Sequence, residues 1–536
     1  MHADAAQQNL PPLIQALCRP EVWPHPVQGV RVIETHISWI LLTGDYAYKI
    51  KRPLDLEFLD FSTLEKRRAA CEAELRLNAR VAPDLYQSVV AISGSESRPV
   101  VSELDGHEQP VLEYAVRMRE FQQDLQLDRQ LQSGDLTLSD MDELASVVAV
   151  IHEQAPRSTP DDAWGTVEAI AKPALDNFSM LEPLIDDAGD RSTLLRLAEW
   201  TTTQIALLRP RFEERRKTGF VRECHGDLHL SNLARFEGNI VAFDCIEFDP
   251  ALRWRDVMSE SGFLVMDLAA RQRIDMAWRF LNRYLELTGD YHGVALLRFY
   301  IVYASMVRAK IAAIRAEQDI PGTPVYTEAA RHYRMHLALA ERATRPRTPV
   351  IIATSGLSGA GKTWLTSRLA CVFPAIRMRS DIERKRLYGS GQQTDGTEIE
   401  GGLYNPDTTR ATYEYLRDRA RDLLAANFDV IVDATFLKCE QRKLFLDLAR
   451  ESAASLVILR CVADDSVLRE RILQREWDGA DASQATRAVL AHQQTTAEPL
   501  TDEEQAFTIS VDTSQETDPL RVAGDICRKL GREISD

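Results

Sequence analysis

Two short stretches concentrate residues whose types and spacing suit work on phosphate groups. Gly356-Leu-Ser-Gly-Ala-Gly-Lys-Thr363 fits the pattern GxxxxGK[ST], follows the apolar run Val350 to Ser355 and precedes a helical pattern. Glycines at 356, 359 and 361 let the backbone around Ser358 and Ala360 turn its amides onto an anion. Lys362 adds a point charge near terminal phosphates, and Thr363 offers a hydroxyl to a divalent cation. Far upstream, Cys224-His-Gly-Asp-Leu-His-Leu-Ser-Asn232 is followed by a short apolar run that ends at Asp244. Asp227 can take a proton from an alcohol, while Asn232 and Asp244 supply the oxygens that a hard cation accepts.

Further residues fall where such sites need them. Asp433 ends the strand-like VIVD and would support a cation beside the glycine loop; a helix cap is the alternative reading of that position. In RSDIERKR, Asp381 can serve as a base for an acceptor hydroxyl and Arg384, one turn on, can hold an anionic group of that acceptor. The alternative is an N-capping Asp on a solvated basic helix. Upstream, the alternating run Tyr46-Ala-Tyr-Lys-Ile-Lys51 puts Lys49 and Lys51 on one face. Lys49 is the expected grip on the α- and β-phosphates, with Glu74 preferred over Glu72 as its partner on the next helix. His225 and His229 could ligate a metal, but on such a loop they read as structural. ATP and Mg2+ are the cofactors these sets require.

The elements that must position these residues follow from the patterning. VRVIET, SWILLTG and YAYKIK around Gly44 predict a small antiparallel sheet, followed by a charged helix over Ser62 to Arg80 and two further strands. Ser139 to Lys217 and Trp254 to Ala343 read as mostly helical, with a strand at Asn239 to Phe243 between them. After Pro349, VIIATS, AIRMRSD, FDVIVDAT, SLVILRCVA and AFTISVDT alternate with helices, the pattern of a parallel sheet covered on both faces. The expected fold class is therefore α/β with α+β: a β-rich lobe followed by a helix-rich lobe over 1–343, which the resemblance of CHGDLHLSN to kinase loops implies is an N-terminal bilobal, protein-kinase-like fold, a Pro/Arg-rich linker at 344–348, and a P-loop domain over 349–536.

Composition bounds the rest. With 536 residues, 45% hydrophobic and 27% charged, the chain has the make-up of a soluble globular protein too long for one core. Eight cysteines without a CxxC pair predict neither a disulfide framework nor a zinc site. The first twenty residues lack a basic n-region and an apolar h-region, and the best apolar stretch, Phe299 to Val307, is bounded by arginines and reads as a buried helix. A cytoplasmic protein without a membrane span is the expectation. A net charge of −17 repels phosphate backbones at long range, although Arg377, Arg379, Arg384, Lys385 and Arg386 form a local basic run.

GLSGAGKT, RSDIERKRLYG, VIVDATF and LRERILQRE together resemble the P-loop kinase-like family that includes polynucleotide kinase, zeta-toxin and gluconate kinase relatives, over about residues 349–515. The resemblance implies a lid helix whose arginines close over the phosphates, with Arg471 and Arg475 as candidates and Arg475 preferred. It also implies an adenine-bordering loop at Val511 to Thr513. Lys49, CHGDLHLSN and AFDCIEFD resemble the aminoglycoside and choline kinase branch of the kinase-like fold, over about residues 30–320. RRAACEAELRLNARVAPDLY and YASMVRAK narrow this to phosphotransferase-like proteins often fused to such a P-loop kinase. That resemblance implies that Asp256 braces the catalytic loop. The chain departs from it in having no GxGxxG and in reading Asp244-Cys245-Ile246 at the DFG-like position that begins with the second metal-holding residue. Gly226 stands where protein kinases carry the arginine that receives an activation-loop phosphate, which points to a small hydroxylated acceptor.

The function these readings predict is a bifunctional ATP-dependent phosphotransferase acting on small-molecule acceptors. Alternatives are a P-loop kinase regulated by a silent kinase-like domain, including one acting on a nucleic-acid 5′-end, and a non-kinase P-loop ATPase switch. The sequence does not specify an oligomeric state.

Overall fold

A computed structural model describes residues 10–56, 59–105, 109–389, 405–478 and 486–532, without the side chains of 475–478. Contacts divide the chain into two compact units. The first is Met1–Thr137, Val150–Ile170 and Phe212–Leu264, and the second is Leu138–Ala149, Ala171–Arg211 and Val265–Asp536. The helical residues 265–344 thus share a unit with residues 349–536.

The first unit is built on six antiparallel strands: β1 (Arg31–Glu34), β2 (Ser38–Leu42), β3 (Tyr46–Lys51), β4 (Tyr86–Ser95), β5 (Arg98–Glu103) and β6 (Val111–Arg119), in the order β1-β2-β3-β6-β4-β5. Gly44, at φ +101°, makes the β2–β3 turn, and the Thr43 hydroxyl closes it on the Tyr46 carbonyl at 2.7 Å. Register pairs Ile40 with Lys49 and Leu42 with Ala47. The strand period then sorts β3 by face: Tyr48 and Ile50 pack with Trp23, Trp39 and Leu41, whereas Ala47 joins the layer holding Cys71, Tyr86 and Val116. Helix α1 (Leu64–Asn78) starts at Thr63, whose hydroxyl accepts the Lys66 N–H at 3.3 Å, and its buried stripe is Arg67, Ala70, Cys71, Glu74, Leu77 and Asn78. That stripe carries an arginine and a glutamate because each meets an opposite charge on the sheet.

Strand β5 went unseen in the sequence because Arg98-Pro99 and Ser102-Glu103 blunt its β signal. It lies at the sheet edge, where a proline is tolerated. The other strand-like runs form strands, and the two helical stretches form long helices, including Val294–Glu317 with Phe299, Tyr300, Val302 and Met306 buried. No helix among the described residues is long and apolar enough to cross a membrane.

In the second unit, helix α2 (Ile274–Thr288) precedes two long helices, Val294–Glu317 and Pro324–Thr344, which pack through Val302, Met306, Ala309, Tyr333 and Leu337. The proline-rich connection after Thr344 is fixed: the Arg345 carbonyl accepts from Arg298 at 3.0 Å and Asn427 at 3.2 Å. Next come β7 (Val350–Ser355), α3 (Lys362–Val372), β8 (Ile376–Arg379), α4 (Ser380–Tyr388), β9 (Val430–Asp433), β10 (Ser455–Val462) and β11 (Thr508–Asp512). The five strands are all parallel, in the order β8-β9-β7-β10-β11. Every residue of β7 and β9 is buried, which explains their unbroken apolar runs. The fold class expected from the sequence is the one observed: α+β in the first unit, and a parallel sheet carrying a strand–loop–helix P-loop in the second.

Gly356 takes φ +148°, and a Cβ there would lie 2.3 Å from the Cys461 carbonyl oxygen; at Gly44 a Cβ would meet nothing within 4 Å. Gly356→Ala is therefore expected to destabilise its unit by ~3 kcal/mol or more and Gly44→Ala by about 1 kcal/mol. Denaturant unfolding of the two variants checks this, and equal shifts would contradict it.

Candidate active sites

In the first unit, β3 and α1 present opposite charges to each other. Lys49 donates to Glu74 Oε1 at 2.9 Å and also bonds Asp244, while Lys51 bonds both Glu74 and Glu247. Glu72 lies on the surface with Arg68 at 2.8 Å. Burial pulls both ammonium groups down, but the carboxylates outweigh it and hold the pKa of each above the ordinary lysine range. Burial raises Asp244, yet Lys49 holds its carboxyl below the usual range, whereas for Glu247 burial prevails and the carboxyl is raised. Two ammonium groups against three carboxylates leave one negative charge in excess if all are ionised. It sits best on Asp244, whose side chain is 45% exposed while those of Glu74 and Glu247 are buried.

The loop that carries Asp227 is tied on every side. Asn232 donates to the Asp227 carbonyl at 3.0 Å and to its carboxylate at 3.2 Å, where His229 Nε2 also lies at 3.2 Å. His225 Nδ1 accepts from the Asp227 N–H, so Nε2 carries the proton and donates to the Phe243 carbonyl at 2.8 Å. Both histidines are thereby engaged within the loop. Asp244 adopts φ +64°, its N–H donating to the Tyr86 hydroxyl at 3.1 Å, and the next N–H, of Cys245, donates to Asn78 Oδ1 at 2.9 Å. These bonds lock the Asp244 turn to β4 and to the end of α1. Asp244 lies against the Lys49 ammonium, and the carboxylates of Asp227 and Asp244 with the Asn232 amide oxygen are the donor types that Mg2+ accepts.

The brace beneath this loop is Glu260 rather than Asp256. Glu260 accepts the Gly226 N–H at 2.7 Å and pairs with His152 at 2.9 Å, whereas Asp256 clasps Arg215 at 2.6 and 2.7 Å and caps Met258. Asp256 is drawn away because Arg215 presents a two-pronged guanidinium to it. Cys224, close to His152 and Glu260, directs its thiol to the Arg255 carbonyl at 3.5 Å.

In the second unit, Lys362, Thr363, Asp381, Arg384 and Asp433 line one cavity of about 190 Å³ together with Ser358, Gly359 and Gly361. Gly359 and Gly361 take φ of +86° and +71°, and a Cβ at Gly359 would lie 2.9 Å from the Leu468 carbonyl oxygen, so the loop passes where only glycine fits. Lys362 curls back to the carbonyls of Gly356 at 2.9 Å and Leu357 at 2.8 Å. Asp433 accepts from Thr366 at 3.0 Å, and Arg384 approaches Asp381 at 3.4 Å. Carboxylate and hydroxyl oxygens gather at the foot of the loop, again the donor set of a hard cation. Arg471 donates to the Gly359 carbonyl at 3.2 Å and to Thr513 at 3.2 and 2.6 Å, joining the loop to the Val511–Thr513 segment, whose Thr513 hydroxyl donates to the carbonyl of buried Ala360 at 3.0 Å. The side chain of Arg475 lies outside the described residues.

Sequence reasoning missed Glu247, Tyr86, Asn78, Glu260, Thr366 and Gln493, whose Oε1 accepts the Ser358 N–H at 2.8 Å. Asn78, Tyr86 and Glu247 lie inside the runs RRAACEAELRLNARVAPDLY and AFDCIEFD, but nothing in those runs marks them as the residues that reach the site, and Glu260 and Gln493 lie in no quoted motif. Only Thr366, three residues after Thr363 on the same helix, carried a spacing signal.

With this geometry the first unit pairs a strand lysine with a helix glutamate beside the Asp244 turn, and the second carries a strand–loop–helix P-loop. The family model described as AAA domain matches residues 351–500. Uncharacterised proteins of Mycobacterium tuberculosis and Mycobacterium bovis are each 30% identical over 474 residues, covering 88% of this chain and 92% of their own. The chain belongs to the family of these mycobacterial proteins. It is also similar to a choline/ethanolamine kinase family protein from Mesorhizobium loti, at 11% identity, 64% of this chain, 100% of that chain and a TM-score of 0.36. A gluconokinase from Sinorhizobium meliloti is similar at 22% identity, 34% of this chain, 93% of that chain and a TM-score of 0.25.

Burial would raise Glu260, but His152 and the Gly226 N–H bring it from an ordinary 4.5 down to about 2. A depressed carboxyl stabilises the fold above its unfolded pKa and loses that contribution as pH falls through the folded one. Glu260→Gln should therefore lower stability at pH 7 by up to about 3 kcal/mol. The gap from wild type should narrow between pH 4.5 and about 2. Thermal melting across that range checks it, and a gap independent of pH would contradict it.

Proposed function

We propose that the chain is an ATP-dependent phosphotransferase with a competent site in each unit, acting on small hydroxylated acceptors. The observation that carries this reading is the convergence of Lys362, Thr363, Asp381, Arg384 and Asp433 on one cavity from three separate elements, α3, α4 and β9. A phosphate-binding ATPase needs the first two and Asp433; a transferase also needs a base and an acceptor-holding cation, and Asp381 with Arg384 supplies both.

In the second unit, the glycine-loop amides and Lys362 would hold the β- and γ-phosphates of ATP, with Lys362 leaving the loop carbonyls to do so. Thr363 and Asp433 would hold Mg2+, which neutralises charge on the transferring group when bound. Asp381 takes the proton of the acceptor hydroxyl as its oxygen bonds to the γ-phosphorus. The bond from that phosphorus to the β,γ-bridging oxygen breaks, ADP departs, and Asp381 returns the proton to solvent. In the first unit Lys49, held by Glu74, would grip the α- and β-phosphates. Asn232 and Asp244 would hold Mg2+, and Asp227 would act as the base.

The basic run near the second site supports a small acceptor over a nucleic-acid end. Arg377 is buried against Glu286, and Arg386 is paired with Glu383, so these two do not form a phosphate-tracking patch.

An ADP-release screen over sugars, aminoglycosides, nucleosides and 5′-hydroxyl oligonucleotides identifies the acceptors. For an acceptor whose turnover is lost in Lys362→Ala, Asp381→Asn should lower kcat about 10²–10⁴-fold with nucleotide affinity retained. Arg384→Ala should chiefly raise the acceptor KM. For an acceptor of the first unit, Asp227→Asn should lower kcat in the same range while Asp244→Ala weakens magnesium-dependent nucleotide binding itself. Unchanged turnover in Asp381→Asn and Asp227→Asn would contradict the assignment.

A further inference from the structure

Strand β8 is an edge of the P-loop sheet, and an edge strand leaves backbone groups to be satisfied by something other than a neighbouring strand. Helix α2 and the residues after it supply the partners. Asn282 Oδ1 accepts the Arg377 N–H at 2.7 Å, its Nδ2 donates to the Ala375 carbonyl at 3.0 Å, and the Tyr291 hydroxyl donates to the Arg377 carbonyl at 3.3 Å. One buried amide side chain thus does the work of a short strand.

From this edge the Arg377 side chain runs to the first turns of α3, the helix that the phosphate loop opens. Its guanidinium pairs with Glu286 of α2, and its other arm donates to the Thr363 carbonyl at 3.3 Å and the Thr366 hydroxyl at 3.4 Å. Thr366 in turn donates to Asp433 at 3.0 Å. All of these side chains except Thr363 are buried. The same turn of α2 anchors the acceptor side, since Arg386 of α4 donates to the Glu286 carbonyl at 2.6 Å.

A buried guanidinium one hydroxyl away from the cation-holding carboxylate is a competitor for that carboxylate unless another acid claims it. Glu286 is that acid. We propose that Glu286 is a positioning residue of the P-loop site: by holding the charge of Arg377 it keeps Asp433 available to Mg2+, with Asn282 fixing the strand from which Arg377 projects. The P-loop site is then completed by a helix that precedes the linker in sequence. This rests on the reading of that site as a magnesium–nucleotide site.

The test is a magnesium titration of ATP binding to the full chain, following the component lost in Lys362→Ala. Glu286→Gln should raise the magnesium concentration for half-maximal binding about tenfold or more, as loss of an outer-sphere partner does, and leave magnesium-free nucleotide affinity unchanged. Glu286→Gln combined with Arg377→Met removes both charges and should return the requirement to near that of wild type, a rescue that a merely structural contact would not give. Glu286→Asp, which keeps the charge but withdraws it by one methylene, should raise the requirement by a smaller factor and serves if Glu286→Gln does not fold. A wild-type requirement in the Glu286 variants, or no rescue in the double variant, would overturn the proposal alone. Binding indifferent to Lys362→Ala would overturn the reading on which it rests.

Discussion

A charge removed from water must be met by an opposite charge or by several hydrogen bonds, and both sites are laid out under that constraint. Their candidate groups are charged side chains set in or against the cores. Glu74 can sit on the buried stripe of α1 only because Lys49 and Lys51 both reach it, and Lys51 is tolerable only because Glu247 takes its other side. Arg67 against Glu113 and Arg442 against Glu504 repeat the pattern where no chemistry is assigned. Removing one member of such a set leaves the others unpaired, so the sets fix geometry more than they add stability.

Net charge separates structural from working groups within these sets. Closed pairs such as Arg215 with Asp256 balance and are buried on both sides. The Lys49 network carries more carboxylates than ammonium groups and opens to solvent at Asp244, where the proposed cation and phosphate chain would enter. The phosphate loop solves the same problem with backbone. Its glycines take left-handed conformations, and Lys362 rests on two loop carbonyls. Those carbonyl bonds can be exchanged for phosphate without leaving a charge stranded.

The local parts of this arrangement were legible in the sequence. GLSGAGKT lies within eight residues of chain, the alternation of YAYKIK sets the face of Lys49, and the apolar runs after Pro349 become the five parallel strands because both faces are covered. What closes the sites was not legible, because it is brought together by topology across long stretches of chain. Lys51 and Glu247 are 196 residues apart, and Glu286 and Arg377 are 91 apart. The assignment of the brace to Asp256 failed for a similar reason: no pattern in sequence shows that Arg215 will occupy it, leaving Glu260 to hold Gly226. Strand β5 was hidden by its own edge position, where proline and charge are favoured over the residues that announce a strand.

On the proposed function both units hold nucleotide. Calorimetric titration of the full chain with ATP in excess Mg2+ tests it most directly. Two sites per chain, falling to one in Lys362→Ala and to one in Asp244→Ala, is the predicted result. A single site per chain that disappears wholly in Lys362→Ala would contradict it and leave the Lys49 network a charge-paired core without a nucleotide.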